Sequence, residues 1–249
     1  MEGISFMLFI KRNENMIKRL IFLLFLPLTI FSQNSAPAKT GLVSVGLTYS
    51  PAYCYRFLHA NDVDDDLLKM RNQAELPEYG FSSGLNIALS FSKIFALEAG
   101  VVYSSKGEKT KNDDTYYIDP PRSISSAYFT YHYYYIDIPV KADFYLLKRR
   151  LKLYLTMGIS TNILIVLKTT MHAEYPDGSK TKSSTTDRED LMGINIAGIA
   201  GAGISFDITK EIYIKAEPLF NCSIMPINRG GVHEFLYSIG LNTGIFYRF

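Results

Sequence analysis

Seven charged residues, Glu98, Asp137, Lys141, Asp143, Lys215, Glu217 and Arg248, fall inside stretches that are otherwise apolar at every second position. Charges set into such stretches can relay ions or protons along a polar path, or they can pair with one another and fill space. Asp137 and Lys141 stand two same-face positions apart on one stretch, and Lys215 and Glu217 are same-face neighbours on another. That spacing favours pairing, so the set reads as a salt-bridged network before it reads as a conduit.

Other chemistry is sparse. A hydrolase needs a nucleophile beside a base that is oriented by a carboxylate. His59, His132, His172 and His233 all sit at expected loops or loop edges, and only His132 has nearby hydroxyls, Ser125 and Ser126. The sequence contains no HExxH, no glycine-rich phosphate loop and no His/Cys ligand cluster. No catalytic, cofactor-binding or metal residue is therefore assigned, no cofactor is expected, and the chain is read as a non-enzyme. Asp62–Asp66 lacks the glycine and terminal glutamate of a calcium loop and reads as a solvated acidic tip, or as a contact with lipopolysaccharide bridged by ions. Lys106, Lys109 and Lys111 read as solvated.

The elements that must position these residues are legible from the last stretch, Phe235–Phe249. One parity is Phe235, Tyr237, Ile239, Leu241, Thr243, Ile245, Tyr247 and Phe249; the other is Leu236, Ser238, Gly240, Asn242, Gly244, Phe246 and Arg248. Successive strand side chains point to opposite faces. One face is thus apolar with aromatics at both ends, as a lipid-facing strand requires, and the other is mostly small or polar. Seven further stretches repeat the pattern, beginning at Val43, Phe81, Phe95, Tyr134, Leu153, Met192 and Ile212. Eight is an even number, sufficient to close a small barrel.

Connections alternate in length. Ser92-Lys93, Leu147–Arg150 and Asp207–Glu211 are short; Arg56–Glu78, Gly107–Thr130 and Lys168–Asp190 are long, and Pro226–His233 is intermediate. Short turns at one end and long loops at the other are the arrangement of an outer-membrane barrel. A soluble lipocalin-like barrel would place Lys, Glu and Thr along its polar face, whereas here that face is rich in Gly, Ser, Asn and Ala. The expected fold is all-β, an eight-stranded antiparallel up-and-down transmembrane β-barrel over residues 34–249, with both termini periplasmic. Residues 1–33 read as a signal peptide with an upstream extension: Lys18-Arg19, the apolar run Leu20–Phe31, then Ser32-Gln33. Removing them takes four basic and two acidic residues from totals of 26 and 24, leaving a formally neutral chain with no basic footprint for nucleic acid.

Parity places Cys54 on the inner face and Cys222 on the outer, so both are expected to be free thiols. Pro139 and Pro218 should mark bulges or bends, since proline cannot donate to a ladder. Tyr128–Tyr135 reads as an interfacial aromatic girdle.

The run Tyr134–Phe144, with its core Tyr135–Val140, resembles the PorT-type outer-membrane β-barrel family, Tyr135, Asp137 and Pro139 carrying the motif. The resemblance extends in strand number and loop order over the mature chain. It implies fold and outer-membrane location, and one branch of that family is tied to a protein-secretion apparatus. The expected partners are outer-membrane lipid, the barrel-assembly machinery acting on the C-terminal strand with Phe249 as signal, and a surface or secretion-complex protein. Two functions stay open: a plugged barrel with a structural or interaction role, and a narrow porin-like pore or passive transporter.

Overall fold

In the computed structural model, which describes residues 42–60, 65–112, 124–147 and 150–249, the apolar alternation becomes a single antiparallel sheet. Its strands are β1 (Leu42–Ala60), β2 (Glu75–Ser90), β3 (Phe95–Thr110), β4 (Ser126–Tyr145), β5 (Leu151–Glu174), β6 (Lys180–Asp187), β7 (Ile194–Asp207), β8 (Ile212–Ser223) and β9 (Val232–Arg248). One helix, α1 (Asp65–Ala74), lies between β1 and β2. The signal segment and the tip residues 61–64 lie outside the described residues, and so does most of the Asp62–Asp66 acidic run.

Eight strands form the ring. Neighbours pair in the order β1, β2, β3, β4, β5, β7, β8, β9, and β9 returns to β1 through a register that includes Ser44↔Arg248 and Leu47↔Ile245. Closure removes the unpaired edges that an open sheet would present to lipid. β6 is a ninth strand outside the ring; it pairs only with the upper part of β5, from Leu167↔Asp187 to Glu174↔Lys180.

The two faces divide as parity requires. Leu47, Leu85, Met157 and Ile239 are 57–60% exposed on the outside. Ser44, Thr48, Ser50, Asn86, Ser160 and Ser238 are buried on the inside. An aromatic belt bounds the apolar band at each end. Near the short turns, Phe91, Phe95 and Phe144 lie in sequence around the wall, with centroids 5.9 and 5.3 Å apart. Toward the long loops, Tyr49, Phe81, Tyr103 and Tyr134 follow one another at 6.0–6.4 Å. Aromatics at both margins of an apolar band mark the two interfaces of a bilayer.

Several expectations are corrected. The long connections are partly strand: β1, β3, β4 and β5 continue well past the aromatic belt into segments read as loops, and α1 and β6 lie wholly within such segments. Hydropathy missed them because strands above the lipid need no apolar outer face. Pro139 and Pro218 cause no bulge. The β3–β4 register is the same on both sides of Ile138/Pro139, and the β7–β8 register is the same on both sides of Pro218. Each proline interrupts only the ladder on one side. The register shifts lie instead between Pro77 and Phe81 and between Tyr134 and Tyr135. The Tyr128–Tyr135 run is not one girdle. Alternation sends Tyr134 into the outer belt, while Tyr133 and Tyr135 pack inward against Leu164, Ile227 and Leu236.

Candidate functional site: two charge clusters in a closed lumen

From the short-turn end upward, the lumen begins with an aromatic floor. Tyr213 and Phe246 stack at 5.1 Å against Ala88. Gly46 makes this possible: a Cβ there would overlap the Phe246 ring. Gly203 yields in the same way to Tyr154. The small inward residues of the sequence are thus seats for a few large inward rings.

Above this floor lies the network anticipated from the inward charges. Lys215 Nζ is 2.6 Å from Glu98 Oε2 and 2.8 Å from Asp143 Oδ2. Lys141 Nζ is 2.5 Å from Glu217 Oε1 and 3.0 Å from Glu98 Oε1. The Tyr154 hydroxyl donates to Glu217 at 2.9 Å, and the Asn242 amide donates to the same carboxylate at 2.6 Å. Lys215 also lies 4.7 Å from the centre of the Tyr154 ring. Five charged side chains from β3, β4 and β8 are held almost wholly out of solvent, Glu217 at 0%. Buried charge is tolerated only when paired and hydrogen-bonded; each of the five has an oppositely charged partner, and among their oxygens Asp143 Oδ1 is left without a hydrogen bond.

Two details differ from expectation, the partner of Asp137 and the place of Arg248. Asp137 pairs with Lys106, at 3.0 Å, and not with Lys141. On a tilted strand the nearer partner comes from across the lumen or the next strand. Lys215 and Glu217, same-face neighbours, do pair as expected, at 3.8 Å, and each makes shorter contacts elsewhere. Arg248 is outside the network: it sits at the short-turn rim, 3.1 Å from Asp207, which also holds Lys152 at 2.8 Å. As the last residue of β9 it reaches the rim, not the core.

A polar chamber of about 70 Å3 follows, lined by Thr48, Ser50, Asn86, Ser104, Asp137 and Lys141 among others. Cys54 is on its wall, buried and free; Cys222 is free as well.

A second cluster roofs the chamber, and most of it escaped the sequence reading. Arg56, 1% exposed, is paired with Glu75, lies 3.0 Å from Glu108 and donates to Asn72 of α1 at 3.0 Å. Arg71 of α1 donates to Glu75 at 2.9 Å and to Glu234 of β9 at 2.6 Å. Burial opposes the charge on Arg71, but the carboxylates of Glu75 and Glu234 more than offset it and hold its pKa above the usual arginine value. Parity carried a few residues further would have found Arg56, Lys106, Glu108 and Glu234. It could not find Glu75, which the β2 register shift turns inward, nor Arg71, which is helical.

His132 meets neither Ser125 nor Ser126. Its Nδ1 is 3.3 Å from Ser105 Oγ, a buried hydroxyl. Among the described residues, no group of three or more His, Cys, Asp or Glu is placed to hold a metal.

Comparison with known proteins fits this geometry. Residues 31–221 match the family described as outer membrane protein beta-barrel domain, which is most of the chain. The chain belongs to the outer membrane protein β-barrel domain family. The match ends within β8, ahead of β9. Solved structures with a likeness include Neisserial surface protein A (17% identity, 83% of this chain and 97% of that one, TM-score 0.40). OprG from Pseudomonas aeruginosa (10%, 85% and 97%, 0.40) and Ail of Yersinia pestis (14%, 85% and 100%, 0.33) are others. Comparison with curated proteins gives no match.

Proposed function

We propose that this outer-membrane barrel is closed to solutes and works through its long-loop rim, as a structural or interaction protein of the envelope or of a secretion assembly. The observation that carries this reading is the blocked bore. Lys141, Lys215, Glu98, Asp143 and Glu217 meet across it, with Tyr154 and Phe246 beneath. An eight-stranded barrel has little interior beyond its own side chains, and opening a path would unpair buried charges. No residue is given a catalytic role. The resemblance of Tyr135–Val140 to the PorT-type family supports a secretion-associated or envelope partner. In this reading the termini face the periplasm, and the assembly machinery engages β9 with Phe249 as its terminal signal.

The alternative, a narrow pore or passive transporter, draws on the polar chamber around Cys54. Reconstitution into a planar bilayer separates the two. The closed reading expects no steady current; stable channels altered by Lys141→Ala or Glu217→Ala would replace it with the transporter.

A further inference from the structure

The outer face of the barrel continues above the aromatic belt on β4, β5 and β6, and there it changes character. From Tyr134 of the belt the outward positions of β4 run upward through His132, Thr130 and Tyr128. Across the ladder they meet Lys168, Thr170 and His172 of β5, and His172 meets Lys182 of β6. Together with Lys109 and Glu78 these residues line an outward-facing groove of about 390 Å3 whose lower lip is Tyr134. Thr130 and Thr170 form a buried floor. At the upper end the Tyr128 and His172 rings stack at 4.5 Å and 2°.

The charge in this groove is unbalanced. Lys109 is 3.1 Å from Glu78 and is thereby matched. Lys168 and Lys182 have no ion pair among the described residues, and no second acid lines the groove. The excess is cationic, whereas inside the lumen each buried cation is paired with carboxylates.

Position decides the occupant. A strand rises about 3.4 Å per residue, so Lys168, opposite His132, stands within about 7 Å of strand length above the Tyr134 belt. That is the depth of the headgroup layer, which is roughly 5–8 Å thick on each side of a bilayer. Lys182, opposite His172, is higher by four further residues, about 14 Å along the strand. A single phosphate at the lipid surface reaches the lower lysine and not the upper. An extended head with anionic groups at both ends of a sugar-like body spans the two, and sugar rings commonly rest on aromatic faces such as Tyr128 beside His172.

We infer that the groove formed by β4, β5 and β6 binds the phosphorylated saccharide head of an outer-leaflet glycolipid. Lys168 and Lys182 take anionic groups at its two ends, while its acyl chains lie along the apolar wall below Tyr134. The inference rests on the long-loop rim facing outward, as the proposed function has it, but not on the lumen being closed.

The test uses the full barrel folded in detergent micelles, with bound lipid counted by native mass spectrometry. The probe is a bisphosphorylated diglucosamine glycolipid, compared with its dephosphorylated form, phosphatidylglycerol and inorganic phosphate. Retention of the bisphosphorylated glycolipid is expected, with at least a five-fold loss in the Lys168→Ala/Lys182→Ala double variant. Dephosphorylation of the glycolipid should lower retention similarly. Both variant residues lie outside the ring's lumen, and heat-modifiable gel migration verifies that the double variant is folded. Unchanged retention in the folded double variant overturns the inference. So does full displacement by inorganic phosphate, which would mark a free-anion site, or equal retention of phosphatidylglycerol, which would mark a simple headgroup contact. Planar-bilayer current on the same preparations reads the state of the lumen separately, so a failure here is distinguishable from a failure of the closed-barrel reading.

Discussion

The lower and upper clusters of the lumen contain the same formal charges and are built differently. Each sets three carboxylates against two cations: Glu98, Asp143 and Glu217 with Lys141 and Lys215 below, and Glu75, Glu108 and Glu234 with Arg56 and Arg71 above. The lower one stands wholly on ring strands, at depths where the wall is braced by lipid. The upper one borrows Arg71 from α1 and Glu75 from the strand end beside a register shift. Its cations are arginines, whose planar forks can hold two carboxylates at once. The lesson is that similar charge counts can give a fixed plug in one place and a removable latch in another, depending on whether every member is anchored in the ring.

The largest expected effect breaks the lower cluster. Lys215→Ala leaves Glu98 and Asp143 buried without their nearest cation and should cost about 3–5 kcal/mol, read as a lower urea midpoint of the folded band on gels. If it costs no more than a change in α1, the contrast between plug and latch fails. Next, the wall itself: Leu241→Arg, facing lipid, should cost about 2–4 kcal/mol. Asn242→Arg, facing inward beside Glu217, should cost less; equal folding yields would contradict the assigned faces. Third, Gly46→Val forces a side chain into the space of the Phe246 ring, and overpacking of this sort costs about 1–3 kcal/mol. It should lower the unfolding midpoint without opening the loop side.

The smallest effect on stability falls on the latch and has the most specific readout. Arg71 is partly exposed, so Arg71→Ala should cost only about 1 kcal/mol. It should nevertheless raise the rate at which a maleimide reaches Cys54 on the chamber wall several-fold, with Cys222, on the outer face, labelled as before. Lys215→Ala, wherever it still folds, should not do this from the loop side. Because the folded-state pKa of Arg71 lies above its ordinary value, its contribution is fully present below that value and fades only as pH rises through the shifted one. Cys54 protection should therefore show no loss traceable to Arg71 across neutral pH; a loss near pH 8 from Arg71 would break the assignment.

How much of this could be read from residues alone follows from what each region has to satisfy. Between the aromatic belts the wall must be apolar outside and small or polar inside, so alternation from Val43 to Phe249 reveals all eight ring strands, and with them Glu98, Asp143, Lys141, Lys215 and Glu217. The pairing within the network was less legible. Asp137 on β4 finds Lys106 on the adjacent β3, four residues above its ladder partner Val102, because a diagonal contact of this kind depends on strand stagger, which parity does not encode. Above the belts the outer constraint vanishes. Lys168–Glu174 and Lys180–Asp187 look like loop because nothing apolar marks their faces, although they form a regular ladder. Glu75 and Arg71 were hidden for separate reasons, a register shift in one case and a short polar helix in the other.

The strands of the ring differ greatly in length. β5 has 24 residues and β8 has 12, and β6 extends the tall side by pairing with β5. The barrel is therefore a tube cut obliquely, with a raised parapet over β4, β5 and β6 and a low sill at β8. With the long-loop rim turned outward, as proposed above, a large body descending on the cell meets the parapet first and is held away from the mouth. One that slides in along the membrane from the β8 side passes over the sill and arrives beside Ile227 and Glu234 without climbing. Direction of approach, as much as chemistry, sorts what can touch the roof of this protein.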